Sequence, residues 1–189
     1  MRVLVQADDQ EVLIRRVQSG DTEAFRQLYG SYKDQVYDYC RRLLNNAEDA
    51  EDAAQEAFVR IYQNISTLDH PASFRYWLYT IVRNEVFGRI RLRSGHQMES
   101  LRDDEERVWI DETPHDKSVR SETTELVRMM IGKLKPEYRE VILLREYEGM
   151  SYVEIAAITG NTESSVKSRL FKARRALFEM LETIYGEKE

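Results

Sequence analysis

The stretch Ser151–Leu181, SYVEIAAITGNTESSVKSRLFKARRALFEML, constrains the fold more than any other part of the chain. Ser151 and Glu154 form an S-x-x-E capping box, in which hydroxyl and carboxylate satisfy two orphan backbone donors at a helix start. The short helix that follows buries Ile155, Ala156 and Ile158. Gly160 supplies the permissive backbone of a tight inter-helix turn, and Thr162 suits the N-cap of a second helix. That order of signals predicts a helix-turn-helix.

At 3.6 residues per turn, Val166, Leu170, Ala173, Leu177, Leu181 and Ile184 fall on one stripe of the second helix, its core face. Ser164, Ser168, Phe171, Lys172 and Arg175 fall opposite, with Lys167, Arg169 and Arg174 on the shoulders. Between Ser164 and Phe178 stand five basic residues and no acidic one, in a chain whose net charge is −6. Such a face suits the major groove: central cations can donate to guanine edges, and Phe171 can pack on a thymine methyl. The shoulder cations are better placed for phosphates, which give affinity and register without sequence. A plain solvated C-terminal helix would mix the signs of its charges, and this one does not.

Composition bounds the rest. With 189 residues, 33% of them charged and only eight Gly and three Pro, a helix-rich chain of one large or two small domains is expected. No apolar run is long enough to span a bilayer, and Met1-Arg2-Val3 opens no signal peptide. The single Cys40 excludes an internal disulfide and fits a reducing cytoplasm; its helical, apolar neighbourhood makes it a core residue. His70, His96 and His115 lack any ligand spacing, so no metal site is expected. Residues 96–122 hold four basic and nine acidic side chains, so this piece carries most of the net negative charge. With little periodicity and turn formers at both ends it reads as an acidic linker. The expected architecture is all-α: two small helical domains, 1–94 and 123–189, joined by a flexible acidic linker over 95–122.

Four helical patterns precede the linker. The first opens with Val12–Val17 and closes at Ser19-Gly20-Asp21. The second runs from Thr22 to Leu44 and is broken by Asn45-Asn46. The third, Ala47 to Ile65, buries Ala54, Phe58, Ile61 and Ile65 and turns Asp49, Asp52, Gln55 and Glu56 outward. Those carboxylates lack the His that di-iron helices place three residues on. They suit either a solvated helix start matched to the dipole or a docking face for a basic partner; composition leaves both open. The fourth, Ser73 to Leu92, sets Phe74, Trp77, Leu78, Ile81, Val82 and Ile90 against an aromatic and cationic remainder of Tyr76, Tyr79, Arg83, Asn84, Arg89, Arg91 and Arg93. Rings interleaved with cations suit opened nucleic acid strands, and equally the polar rim of a core helix.

Together these segments resemble the extracytoplasmic-function (group IV) sigma factors of bacterial RNA polymerase. The resemblance rests on Gly20-Asp21 with Ala24-Phe25, the run from Asp49 to Phe58 (DAEDAAQEAF), Phe74-Arg75, Trp77-Leu78-Tyr79 and Arg83-Asn84. It resumes with Leu134, Pro136, Tyr138-Arg139, Leu143-Leu144-Arg145, Gly149-Met150-Ser151-Tyr152, Glu154-Ile155-Ala156, Val166–Leu170 and Ala173-Arg174. It implies that Asp49, Asp52, Gln55, Glu56 and Phe58 dock on the clamp helices of the largest polymerase subunit. It also implies that Asp69, His70, Ser73, Arg83 and Asn84 read the opened −10 element, with a flipped base held in a small pocket. Lys167, Ser168, Phe171 and Lys172 would read the −35 duplex, supported on phosphate by Arg169, Arg174 and Arg175. An anti-sigma factor, often at the membrane, is the further partner implied. No cofactor, catalytic group or small-molecule substrate is expected, and the location implied is cytoplasmic. Gly88 departs from the family, which usually has Asp four residues after Asn84. The competing reading is a self-sufficient helix-turn-helix regulator of the response-regulator type, which would need a dimer interface and a receiver or ligand domain.

Overall fold

The computed structural model describes residues 7–100 and 122–186, with side chains over 9–93 and 125–184. The described residues form eight α-helices and no strand: α1 (Ala7–Gln18), α2 (Thr22–Leu44), α3 (Ala47–Asn64), α4 (Phe74–Ser100), α5 (Glu122–Lys133), α6 (Pro136–Ile142), α7 (Tyr152–Thr159) and α8 (Glu163–Gly186). Two 3-10 turns, Ile65–Thr67 and Pro71–Ser73, join α3 to α4, and a π turn, Leu143–Tyr147, extends α6.

Local chemistry sets the helix ends. The Asp21 carboxylate accepts from the backbone N–H groups of Glu23 and Ala24 at the start of α2, the orphan donors that an N-cap serves. These bonds, with Arg16 beside them, hold the Asp21 carboxyl below its ordinary value. Asn45 closes α2 in the left-handed conformation at φ 53°, which Asn tolerates better than most side chains. Asn46 then caps α3 by accepting from Asp49 N–H.

α1 to α4 make the first helical body. The buried face of α3 is mostly alanine (Ala50, Ala53, Ala54, Ala57), so the neighbouring helices approach closely. Leu28, Val36, Tyr39 and Leu43 from α2 and Phe74, Leu78, Val82 and Val86 from α4 fill the core around it. Cys40 is fully buried there, and burial pushes its thiol up to about 12. Tyr79, expected on the cationic face, is instead fully buried and meets Tyr39 edge-on at 5.3 Å. The stripe of α4 is wider than an i, i+3, i+4 count suggests, because three elements pack around it.

α5 to α8 make the second body, centred on Leu143, Leu144, Met150, Ile155, Ile158, Val166, Leu170 and Ala173. Both halves of the capping box are formed, with Glu154 accepting from Ser151 N–H at 2.8 Å. The Ser151 hydroxyl, donating at 2.7 Å, and then this backbone bond hold the Glu154 carboxyl below its ordinary value. Gly160 takes φ 67° between α7 and α8, and Thr162 accepts from Ser165 N–H. The expected core stripe of α8 fades along its length: Val166, Leu170 and Ala173 are buried, Leu177 and Leu181 partly, and Ile184 is exposed. The last turns run beyond the body they pack on.

The two bodies are docked. Arg139, buried in α6, donates to the carbonyls of Ile131, Gly132 and Leu134 at the end of α5 and of Leu43 at the end of α2. Asn45 Nδ2 donates to Gly132 O at 3.1 Å, and the Arg42 guanidinium lies 4.2 Å above the Tyr147 ring. Helical backbone in α4 runs on to Ser100, past the expected linker start at 95; the rest of that linker, 101–121, lies outside the described residues.

Gly88 sits inside α4 with no heavy atom within 4 Å of the position its Cβ would take. A side chain there meets no obstacle, while glycine keeps its entropic cost. Gly88→Ala is expected to raise the unfolding free energy by about 1 kcal/mol, measured by denaturant titration; a decrease would mean that the open space serves a contact.

Candidate functional site

Three surfaces emerge from this scaffold. The first is the outer face of α3. Asp52, Gln55 and Glu56 are exposed and Asp49 is half-buried. α4 partly answers their charge: Arg93 pairs with Asp49, and Arg89 lies 3.7 Å from Asp52. Arg60 bridges Glu56 at 3.4 Å and Glu85 at 2.7 Å. Phe58, which the resemblance places in the docking set, is buried as its helical periodicity predicts. It is only 7% exposed and packs edge-on against Tyr29 at 4.7 Å, so it underlies the face without presenting a surface. The apolar groups actually exposed beside the carboxylates are Val59 at 49% and Tyr62 at 50%. Helical spacing from Asp52 and Gln55 was the signal for Val59 and Tyr62, masked by the more conspicuous phenylalanine.

The second surface joins the turn region after α3 to α4. Asp69 and His70 are exposed, Ser73 is half-buried and donates its N–H to His70 O at 2.8 Å, and Asn84 is exposed one helical stretch further on. Arg83 differs from the others. Its Nε lies 2.6 Å from Glu140 Oε1 of α6, across the seam between the bodies, and its guanidinium also covers the Phe87 ring at 4.6 Å. Arg75, at the start of the same helix, lies 3.3 Å from Glu148 Oε2. Two cations of α4 are therefore held by carboxylates of the second body.

The third surface is the outer face of α8. Ser168, Phe171 and Lys172 are exposed, Phe171 at 68%. Lys172 has no carboxylate at ion-pair distance among the described residues. Other cations are engaged: on the shoulders Lys167 lies 3.9 Å from Glu163 and Arg174 2.6 Å from Glu146, and on the outer face Arg175 lies 2.8 Å from Glu179. These are exposed pairs, worth little in water and readily exchanged. Arg169 is half-buried, as its shoulder position predicts, and its charge is near enough to act on the Glu140 carboxyl.

Likeness to known proteins decides the family of the chain. Residues 28–95 match the family Sigma-70 region 2, and residues 124–177 match the family Sigma-70, region 4. The ECF RNA polymerase sigma factor SigW of Bacillus subtilis (strain 168) is 35% identical over 176 residues, covering 89% of this chain and 94% of that one. The chain belongs to the extracytoplasmic-function sigma factors of the sigma-70 family. The RNA polymerase sigma-H factor of Pseudomonas aeruginosa is 31% identical over 193 residues, covering 98% of this sigma factor and 100% of its relative. Among solved structures, the sigma factor RpoE from Bartonella quintana, crystallised with the anti-sigma factor NepR, has a TM-score of 0.70 at 26% identity over 84% of this chain and 96% of that chain. CnrH in complex with the cytosolic domain of CnrY gives 0.68 at 27% identity, over 94% and 99%. A region 2 match over 28–95 occupies the place where a response-regulator type protein would need its receiver domain, so that competing reading falls away.

Sequence reasoning missed Glu140. It is 0% exposed, with Arg83 on one oxygen and no partner for Oε2. The clue was a carboxylate directly before the apolar run Val141–Leu144. Tyr39 and Arg83 face it from the first body, Arg169 and Glu137 from its own. Burial outweighs the attraction of Arg83 and Arg169 and raises its carboxyl from 4.5 to about 7. The folded, docked chain thus binds more protons than the unfolded chain between those values. The stabilisation is complete below the ordinary value and is lost as pH rises through about 7. Thermal unfolding followed between about pH 5 and pH 8 should show stability falling with pH. Glu140→Gln should remove that component of the slope; an unchanged slope in the variant would assign it to other groups.

Proposed function

We propose that this sigma factor divides promoter recognition among the three surfaces, with core RNA polymerase, promoter DNA and an anti-sigma factor as its partners. The exposed acids Asp52, Gln55 and Glu56, with Asp49 at their edge and Phe58 beneath, dock on the clamp helices of the largest polymerase subunit. Charge complementarity there sets orientation and on-rate. Asp69, His70, Ser73 and Asn84 meet the opened −10 strand, joined by Arg83 once Glu140 releases it. Ser168, Phe171 and Lys172 read base edges of the −35 duplex, while Lys167, Arg169, Arg174 and Arg175 steady the helix on phosphates.

The observation that carries this reading is the opposite character of two exposed helix faces in one chain. α3 presents carboxylates with Val59 and Tyr62, and α8 presents Lys172 with Phe171. One face suits a basic protein surface and the other suits DNA. The reading assigns the chain no chemistry of its own: it directs initiation, and the polymerase supplies catalysis. No described helix is long and apolar enough to cross a membrane. We place the protein in the cytoplasm, where its polymerase is, with an anti-sigma factor able to hold it at the membrane.

Lys172→Ala tests the assignment of bases against phosphates. With reconstituted holoenzyme, the loss should be about 1–3 kcal/mol and should fall on one −35 base step. Uniform weakening across all −35 sequences would make Lys172 a phosphate contact instead.

A further inference from the structure

The side chain of Gln18, the last residue of α1, reaches from a separate helix to the turn region between α3 and α4. Its Nε2 donates to Ile65 O at 3.0 Å and to Leu68 O at 2.7 Å, across 47 and 50 residues of sequence. Two carbonyl acceptors fix which way the amide points, because its oxygen in that position would face two lone-pair groups. The segment it holds alternates anchored and free parts. Ile65, Leu68 and Pro71 are buried, whereas Asp69 and His70 between them are exposed. Leu68 N–H already returns to Ile65 O, and Ser73 N–H to His70 O. Each turn is thus closed on itself, and the Gln18 amide ties the first of them to α1. α1 packs against both short turns, so the exposed pair Asp69-His70 projects from a segment whose base is fixed by a helix of separate sequence.

We infer that Gln18 is a positioning residue for −10 recognition, setting the height of Asp69 and His70 and hence which extruded base the segment accepts. This rests on the reading that the 69–73 segment meets the opened strand. A neutral amide suits the task. It offers two donors to two carbonyls without adding a charge that would itself attract phosphate. Selectivity for an extruded base depends on the shape of the receiving pocket, so a small displacement of the segment changes preference more than affinity.

The test uses the full-length chain with core polymerase on a promoter library randomised in both elements. Gln18→Glu keeps shape and removes both donors. Gln18→Glu is expected to lower discrimination at one −10 position by roughly tenfold. Its −35 profile and core affinity should remain those of the parent, with the chain folded at the assay temperature. A control replaces Asp69 and His70 by Ala. If the control alters the −10 profile and Gln18→Glu does not, the positioning role is wrong. If the control leaves the profile unchanged, the reading of the segment fails, and the inference with it. A Gln18→Glu chain that melts early and loses both elements together would make Gln18 a purely structural tether, again overturning the inference.

Discussion

The arrangement of this molecule depends on one buried guanidinium. Helix C-termini leave carbonyls without intrahelical partners, and α2 and α5 both end inside the seam between the two bodies. Burying such carbonyls unpaired is costly. Arg139 answers both ends at once, donating to Leu43 O at 2.7 Å and Leu134 O at 2.9 Å, and to Ile131 and Gly132 besides. Its fork of five donors is matched by carbonyls alone, and burial lowers it to about 10. Lysine, a single point of charge, has no such geometry. The docked relation of the two helical bodies, and through it the seam between α4 and α6, follows from this residue.

The seam has a consequence for the proposed division of labour. Arg75 and Arg83, which lie on the helix assigned to the −10 strand, carry Glu148 and Glu140 in the docked arrangement. Arg89 and Arg93, also of α4, lean on two of the α3 acids assigned to polymerase docking. Intramolecular charge pairs therefore occupy much of the surface that the proposed partners would use. Lys172 and Phe171 stay open, as do the exposed Asp69, His70 and Asn84. A chain of net charge −6 arranged in this way has little general attraction for nucleic acid. Selectivity then has to come from placement of a few side chains.

The helices were legible in the sequence where local chemistry decides. Thr22–Leu44, the Ser151–Glu154 capping box and the Gly160 turn lie where periodicity and cap residues put them, because those signals act within a few residues. What escaped was decided across long separations. Tyr79 reads as a rim residue on α4 alone and becomes core only when Tyr39 stands opposite it. Phe58 reads as core by periodicity, and it is; its ring contact with Tyr29 is what the sequence did not show. Glu140 and Arg139 look like two more surface charges, and only the meeting of α2, α5 and α6 buries them. The candidate surfaces were thus visible as patterns, whereas the partners of their charged groups were not.

The central claim is that a docking face and two DNA-reading surfaces act together in one chain. The most direct measurement is runoff transcription with purified core polymerase on a library randomised at both promoter elements, run in parallel for the parent chain and Asp52→Arg. The account predicts that the parent enriches two separated elements. It predicts that the folded Asp52→Arg chain initiates at neither, for want of docking. Undiminished initiation by Asp52→Arg, or a stable sequence-specific DNA complex formed by the parent without polymerase, would contradict it.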